Sequence, residues 1–195
     1  MSKLYVNEIK PKTSGNIVTG LSNILEVVPL NCDGQAVTVP SGTYTPENVT
    51  SAQALTTTYA DVTGSKINYT PPEGTIAVIY DFNFASKMQN DHSIGSFRFY
   101  VGSTDVVYAR MTIGGHYPDF INHFRWVIPI GGNASSNTGR VASWGSPLEL
   151  KLTAREHGSA NQFTLHTNNY FDGTGTDVFH APQLTLTAIG GVYNG

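Results

Sequence analysis

The chain has 195 residues, enough for one sizeable core, with 13% charged residues, a net charge of -3 and no cluster of Lys or Arg. That balance excludes a nucleic-acid partner, whose phosphates need several cations placed together, and no apolar run is long enough for membrane insertion. The opening MSKLYVNEIKPK has no apolar signal core and the lone Cys32 permits no internal disulfide, so folding in a reducing cytoplasm is expected.

Residues 1 to 20 stand apart from the rest. Leu4, Val6 and Ile9 alternate with polar neighbours until Pro11, Ser14, Gly15 and Gly20 break the pattern. A short strand with nothing local to pair against is either a frayed tail or an arm that adds to a partner's sheet edge, and the residues leave both open. Residues 21 to 55 read as short strands and a linker leading into the sandwich. ILEVVPL and QAVTVP flank the turn Asn31-Cys32-Asp33-Gly34, and SGTYTPENVTSA reads as a loop with at most one helical turn over Glu47 to Ala54.

The main body is expected at 56 to 195. Pro71-Pro72 followed by Gly74 stops one strand and starts the next, in which Ile76, Val78, Tyr80, Phe82 and Phe84 alternate with Ile79, Asp81 and Asn83. Phe97, Phe99 and Val101 form a further inward set, closed by a Gly102-Ser103 turn. Phe120, Phe124, Trp126, Ile128 and Ile130 share one parity, with His123 and Arg125 on the other, and GGNASSNTG reads as a flexible loop.

The cleanest alternation sets Leu148, Leu150, Leu152 and Ala154 against Glu149, Lys151, Thr153 and Arg155, the period of a half-buried strand. After the polar loop EHGSAN, Phe163 and Leu165 resume the inward face, which predicts a hairpin. Asp172-Gly173 then turns the chain into a last strand with Leu184, Leu186 and Ala188 inward and Thr185 and Thr187 outward. No stretch of helical length has a helical period. Strands recurring between Gly, Pro and Asn turns predict an all-β fold, an antiparallel jelly-roll β-sandwich.

Chemistry-bearing residues are plentiful but do not converge. His116, His123, His157, His166 and His180 lack the spacing of a local zinc motif and read as structural, although one His near a threefold axis would be presented three times on assembly. The run from Asp172 to Asp177 lacks the alternating acidic ligands of an EF-hand loop and reads as a plain turn. There is no GxSxG, no HExxH and no phosphate-cradling glycine loop, so no catalytic residue, metal ligand or cofactor is assigned and the chain is not expected to be an enzyme. Tyr117, Trp144, Asn169, Tyr170 and Asp172 lie in turn-rich polar segments at 115 to 119, 131 to 146 and 168 to 177, where aromatic rings beside Asn and Asp suit sugar faces and hydroxyls. The plainer reading, in which Trp144 and Phe171 cap the core or enter an oligomer contact, is preferred. Arg110 and Arg155 read as members of cross-strand ion pairs.

The N-terminal MSKLYVNEIKPKTSG resembles the opening of many small structural proteins of marine and cyanobacterial tailed phages. The body resembles a domain recurrent in those genomes, in VPLNCDGQAVTVPSGTYTPENVTSAQALTTTYADVTGSKINYTPPEGTIAVIYDF, IPIGGNASSNTGRVASW, LELKLTAREHGSANQFTLH and YFDGTGTDVFHAPQLTLTAIG. His157 departs from the pattern, since many relatives carry Tyr after the Arg-Glu pair. The resemblance implies a trimeric jelly-roll knob without catalytic residues, located in the virion after assembly in the bacterial cytoplasm. It implies that residues 1 to 20, with Leu4, Tyr5, Val6, Ile9 and Lys10, form an arm that anchors the knob to another virion protein of the capsid or tail. Capsid decoration or a head fibre is the first expectation, because no heptads or shaft repeats are visible; a tail-fibre or adhesin tip binding host surface glycans is the alternative.

Overall fold

The computed structural model describes residues 23–88, 92–115, 119–169 and 175–191. In chain order the strands are β1 Ile24–Asn31, β2 Val37–Val39, β3 Gly42–Tyr44, β4 Gln53–Ala54, β5 Ala60–Asp61, β6 Ile67–Tyr69, β7 Thr75–Met88 and β8 Ser93–Val101. They continue as β9 Thr104–Asp105, a 3-10 turn at Val107–Ala109, β10 Met111–Gly115, β11 Asp119–Pro129, β12 Leu148–Glu156, β13 Phe163–Leu165, β14 Thr167–Asn168, β15 Val178–Phe179 and β16 Gln183–Gly190.

Two antiparallel sheets hold nearly all of these strands. The first runs β1-β16-β7-β11, with β13 beside the far end of β7 and β4 outside β13. The second runs β6-β12-β8-β10, with β5 continuing the β6 edge and β9 continuing the β10 edge. Taking β1, β6, β7, β8, β10, β11, β12 and β16 in sequence, the first pairs with the last, the second with the seventh, the third with the sixth and the fourth with the fifth. That nested pairing is the jelly roll: one long antiparallel ribbon, rolled so that successive strand pairs fall in opposite sheets. The alternation read from the sequence dictates it, since each long strand has one apolar face that only a facing sheet can cover.

The core lies between the sheets and is built from rings. Tyr80, Phe82, Phe84 and Phe124 project from the first sheet and Phe97 and Phe99 from the second, all buried. Tyr80 meets Phe99 with centroids 4.8 Å apart, Phe99 meets Phe124 at 5.2 Å, and Phe84 meets Phe97 at 5.6 Å. Such tilted pairs add to the area they bury, roughly 0.5–1.5 kcal/mol each. The Tyr80 hydroxyl, which could not be buried unpaired, donates to the Ser65 carbonyl oxygen at 2.6 Å. Burial holds its pKa well above the ordinary phenol range.

One edge of the core is closed by a polar network. Glu26 points inward from β1 and accepts from the Ser41 N–H (2.9 Å), the Ser41 hydroxyl (2.5 Å) and the Tyr69 hydroxyl (3.0 Å). Tyr44 shares the Ser41 hydroxyl at 2.8 Å and donates to the Thr70 carbonyl oxygen at 3.0 Å. These bonds tie the β2–β3 hairpin across the mouth of the sandwich. Nearby, Cys32 is buried and donates to the Gly64 carbonyl oxygen; burial, then the Glu47 and Asp33 charges, pushes its thiol up to about 12. Gly64 adopts φ +79°, and a Cβ there would stand 3.0 Å from Cys32 Sγ, Pro182 and Val49.

Several expectations need correction. Phe163 and Leu165 do not form a hairpin with β12: the chain crosses after Glu156 and β13 pairs with β7 and β4 in the opposite sheet. From the opposite sheet the Phe163 ring fills the space above Gly95, where a Cβ would lie 3.1 Å from it, and meets Phe97 edge-on. SGTYTPENVTSA holds no helical turn; its start is β3, paired with β2. Residues 24–31 do not lead into the sandwich but form an edge strand of it, paired along β16. The loop after β11 is not loose: Gly131 N–H and Val141 N–H bond across it, and Val107 and Tyr108 N–H reach Ser136 and Asn137 carbonyl oxygens. Phe120 keeps the predicted parity but is 41% exposed, at the end of β11 that runs past the core.

Candidate assembly surface

A sheet in a two-layer sandwich has one face on the core and one in water, so its outward positions should be polar. The first sheet breaks that rule along one row. The ladder places Val27 of β1 opposite Thr187 of β16, Thr187 opposite Ile79 of β7, and Ile79 opposite Val127 of β11. All four side chains stand on the outer face, with Val27 43% and Val127 49% exposed. The adjacent row adds Ile189, Ala77 and Pro129. Leu25 and Ile24, also exposed, stand at the bulged start of β1 beside it.

The face changes character along the strands. The next row runs Pro29, Thr185, Asp81 and Arg125, and the one after it Asn31, Gln183, Asn83 and His123. Asp81 lies 2.6 Å from His123 Nε2 and opposite Arg125, so both signs of charge are present at this end. An apolar block at one end with a bipolar block at the other is a surface that a second copy can match, since each sign finds its opposite on the same patch.

The residues singled out from the sequence are elsewhere. Leu4, Tyr5, Val6, Ile9 and Lys10 of the arm lie outside the described residues, as do Tyr117, Tyr170 and Asp172. Asn169 is half-buried just beyond β14. Trp144 does not offer a face to a ligand: it is 8% exposed, its Nε1 donates to the Tyr69 carbonyl oxygen at 3.0 Å, and its ring meets Tyr69 edge-on. Capping the core, the plainer reading, is its place. Arg110 forms the expected ion pair with Asp105 (2.8 Å), whereas Arg155 does not; its guanidinium reaches the Thr57 carbonyl oxygen and the Tyr59 ring. Asp177 pairs with Lys87 at 2.5 Å.

His166 is the least expected residue of the chain. It is fully buried with φ 62°, its main chain bonded to Ala85 and His180, and its ring edge-on to Phe84. Burial pushes the imidazole down to about 4; the Thr63 main chain opposes this in part and His180 adds to it. Among the described residues no group of three or more His, Cys, Asp and Glu side chains is placed to hold a metal ion, and no helix is long and apolar enough to cross a membrane.

No family model and no curated protein matches this chain. Among solved structures it is similar to the VP2 subviral particle of infectious bursal disease virus, at 13% identity and a TM-score of 0.40 over 86% of this chain. The Gx strain of that virus gives 12% identity and a TM-score of 0.33 over 80% of this chain. This chain spans only 33% and 36% of the length of those two proteins. The jelly roll itself stands on the strand order.

Proposed function

We propose that the protein is a non-enzymatic structural component of a phage virion, a trimer on the capsid surface held by its N-terminal arm. The apolar row Val27, Thr187, Ile79 and Val127 carries this reading, because copies of the same chain can cover it from water. Burying a side chain of this size contributes roughly 1.5–3 kcal/mol, less for one already half covered, before the cost of association. The first strand begins at Ile24, beside this row. The sequence's resemblance to small phage structural proteins supplies the setting.

Light scattering of the purified protein tests the assembly. The wild type should have three times the protomer mass at micromolar concentration, and Val27→Asp with Val127→Asp should have the protomer mass while melting as a folded protein. A monomeric wild type, or a double variant of unchanged mass, defeats the proposal. Cryo-EM of particles carrying the chain tests its location: threefold density on capsid faces supports decoration, and density at the tail periphery overturns it.

A further inference from the structure

The outer face of the second sheet carries a different surface, and it contains a cleft. Tyr59, Tyr100, Ser103, Glu149, Lys151 and Thr153 line a shallow hollow of about 640 Å³. Tyr59 comes from the strand edge before β5, Glu149 to Thr153 from β12 and Tyr100 from β8, and the ladder sets Lys151 directly opposite Tyr100 and Thr153 opposite both Asp61 and Arg98. On the other side of the Gly102-Ser103 turn is a second hollow of about 430 Å³ rich in hydroxyls, including Thr104, Ser135, Ser136 and Ser143. The two share Gly102 and Ser103 and so meet at that turn. Each falls within the ~300–1,000 Å³ typical of small-molecule sites.

The geometry points to a binding site for a neutral oligosaccharide, running from the Tyr59–Tyr100 cleft over Ser103 into the hydroxyl-lined hollow. A pyranose ring has an apolar C–H face that packs on aromatic rings and a rim of hydroxyls that both donate and accept. Tyr100 supplies a ring, Glu149 an acceptor, Lys151 a donor, and the Ser and Thr hydroxyls either role. Thr153, 8% exposed, forms part of the floor of the cleft.

Charge decides between a neutral and an acidic sugar. Lys151 is already shared by Asp61 (3.0 Å) and Glu149 (3.1 Å), and Arg98 stacks 4.1 Å from the Tyr59 ring centroid with Asp105 at 3.7 Å. Arg140, which lines the second hollow, donates to the Gly131 carbonyl oxygen at 3.1 Å. Each of these cations is engaged within the chain, and Glu149 would repel a carboxylate or sulfate. The cleft lies on the sheet opposite the assembly surface, so the inference stands whether or not copies associate. Its second hollow takes in part of the 131 to 146 loop that the sequence marked as glycan-facing, whereas the Tyr59–Tyr100 cleft lies outside those loops.

The test is titration of the full chain with neutral tri- and tetrasaccharides of glucose, galactose, mannose and N-acetylglucosamine, and with galacturonate and sialyl-lactose as acidic counterparts, followed by amide chemical shifts. Saturable shifts at Tyr59, Tyr100, Ser103 and Thr153 with at least one neutral sugar are expected. Tyr100→Ala and Glu149→Gln should each weaken that affinity by about tenfold, with the melting temperature held. No saturable shift with any neutral sugar at millimolar concentration overturns the site. So does binding that Tyr100→Ala and Glu149→Gln leave unchanged. Tighter binding of galacturonate or sialyl-lactose overturns the neutral class.

Discussion

The two outer faces of this sandwich share one backbone plan and opposite chemistry. Both belong to antiparallel sheets whose inner faces are equally apolar, so core packing does not set the difference. On the second sheet the outward positions are Arg98, Tyr100, Glu149, Lys151 and Arg155, bound to one another, to Asp61 and Asp105, and to the Tyr59 ring. On the first they are largely Val27, Thr187, Ile79 and Val127, with charge confined to one end. A network of ion pairs keeps its hydration and is stable exposed; an aligned β-branched row gains free energy only when something covers it. On the reading proposed above, the contrast separates a face for solvent and small ligands from a face for protein.

The largest effect should come from removing the support of the apolar row. Glu26 lies on the inward side of β1, between exposed Leu25 and Val27, and holds three donors. In Glu26→Ala the Tyr69 and Ser41 donors lose their acceptor in a buried setting. A loss on the order of 3 kcal/mol is expected from chemical denaturation at pH 7, and the mass of the proposed trimer should fall with it because β1 carries Val27. A loss below about 1 kcal/mol with mass unchanged would mean that the first face does not depend on this network.

Of similar size is a pH effect that belongs to neither face. His166 is buried neutral with its folded pKa lowered to about 4 from an ordinary 6.5, so the unfolded chain binds the extra proton between these values. Its stabilising contribution is complete above pH 6.5 and is lost as pH falls from there towards 4, about 3 kcal/mol over the window. His166→Asn keeps a residue that tolerates φ 62° and removes the titration. Denaturation at pH 7 and pH 4.5 should therefore show a smaller acid loss for the variant than for the wild type. Equal losses would remove His166 as the cause.

Much of the fold was legible because burial follows parity. Val78 to Phe84, Phe97 to Val101, Leu150 to Ala154 and Leu184 to Ala188 are inward, as the alternation requires. What parity cannot show is which sheet a strand joins. Phe163 and Leu165 keep the right period, yet the Gly95 gap that draws Phe163 across is a three-dimensional fact. The site was legible only in part. Ile79 was visible as an apolar residue on an otherwise polar face, but its alignment with Val27 and Val127 depends on register between strands distant in sequence. Trp144 takes the core-capping place preferred from the sequence, because the turn that carries it folds its ring onto Tyr69. Thr153 looked like any outward threonine; Asp61 and Arg98 opposite it, and the Tyr59 ring beside Arg98, are what mark it.

The smallest effect sharpens the comparison most. Asp61 accepts from Lys151 at 3.0 Å and Lys66 at 3.4 Å, and its side chain is 39% exposed. In Asp61→Asn, Lys151 keeps Glu149 at 3.1 Å and Lys66 returns to water, so neither cation is stranded in a dry site. The stability change should stay within about 1 kcal/mol and shrink further in high salt, as for exposed pairs generally. Trimer mass should be unchanged, in contrast with the Val27 and Val127 double substitution. If Asp61→Asn instead dissociates the trimer, the charged sheet is also an interface, and the division of labour between the two faces fails at its first premise.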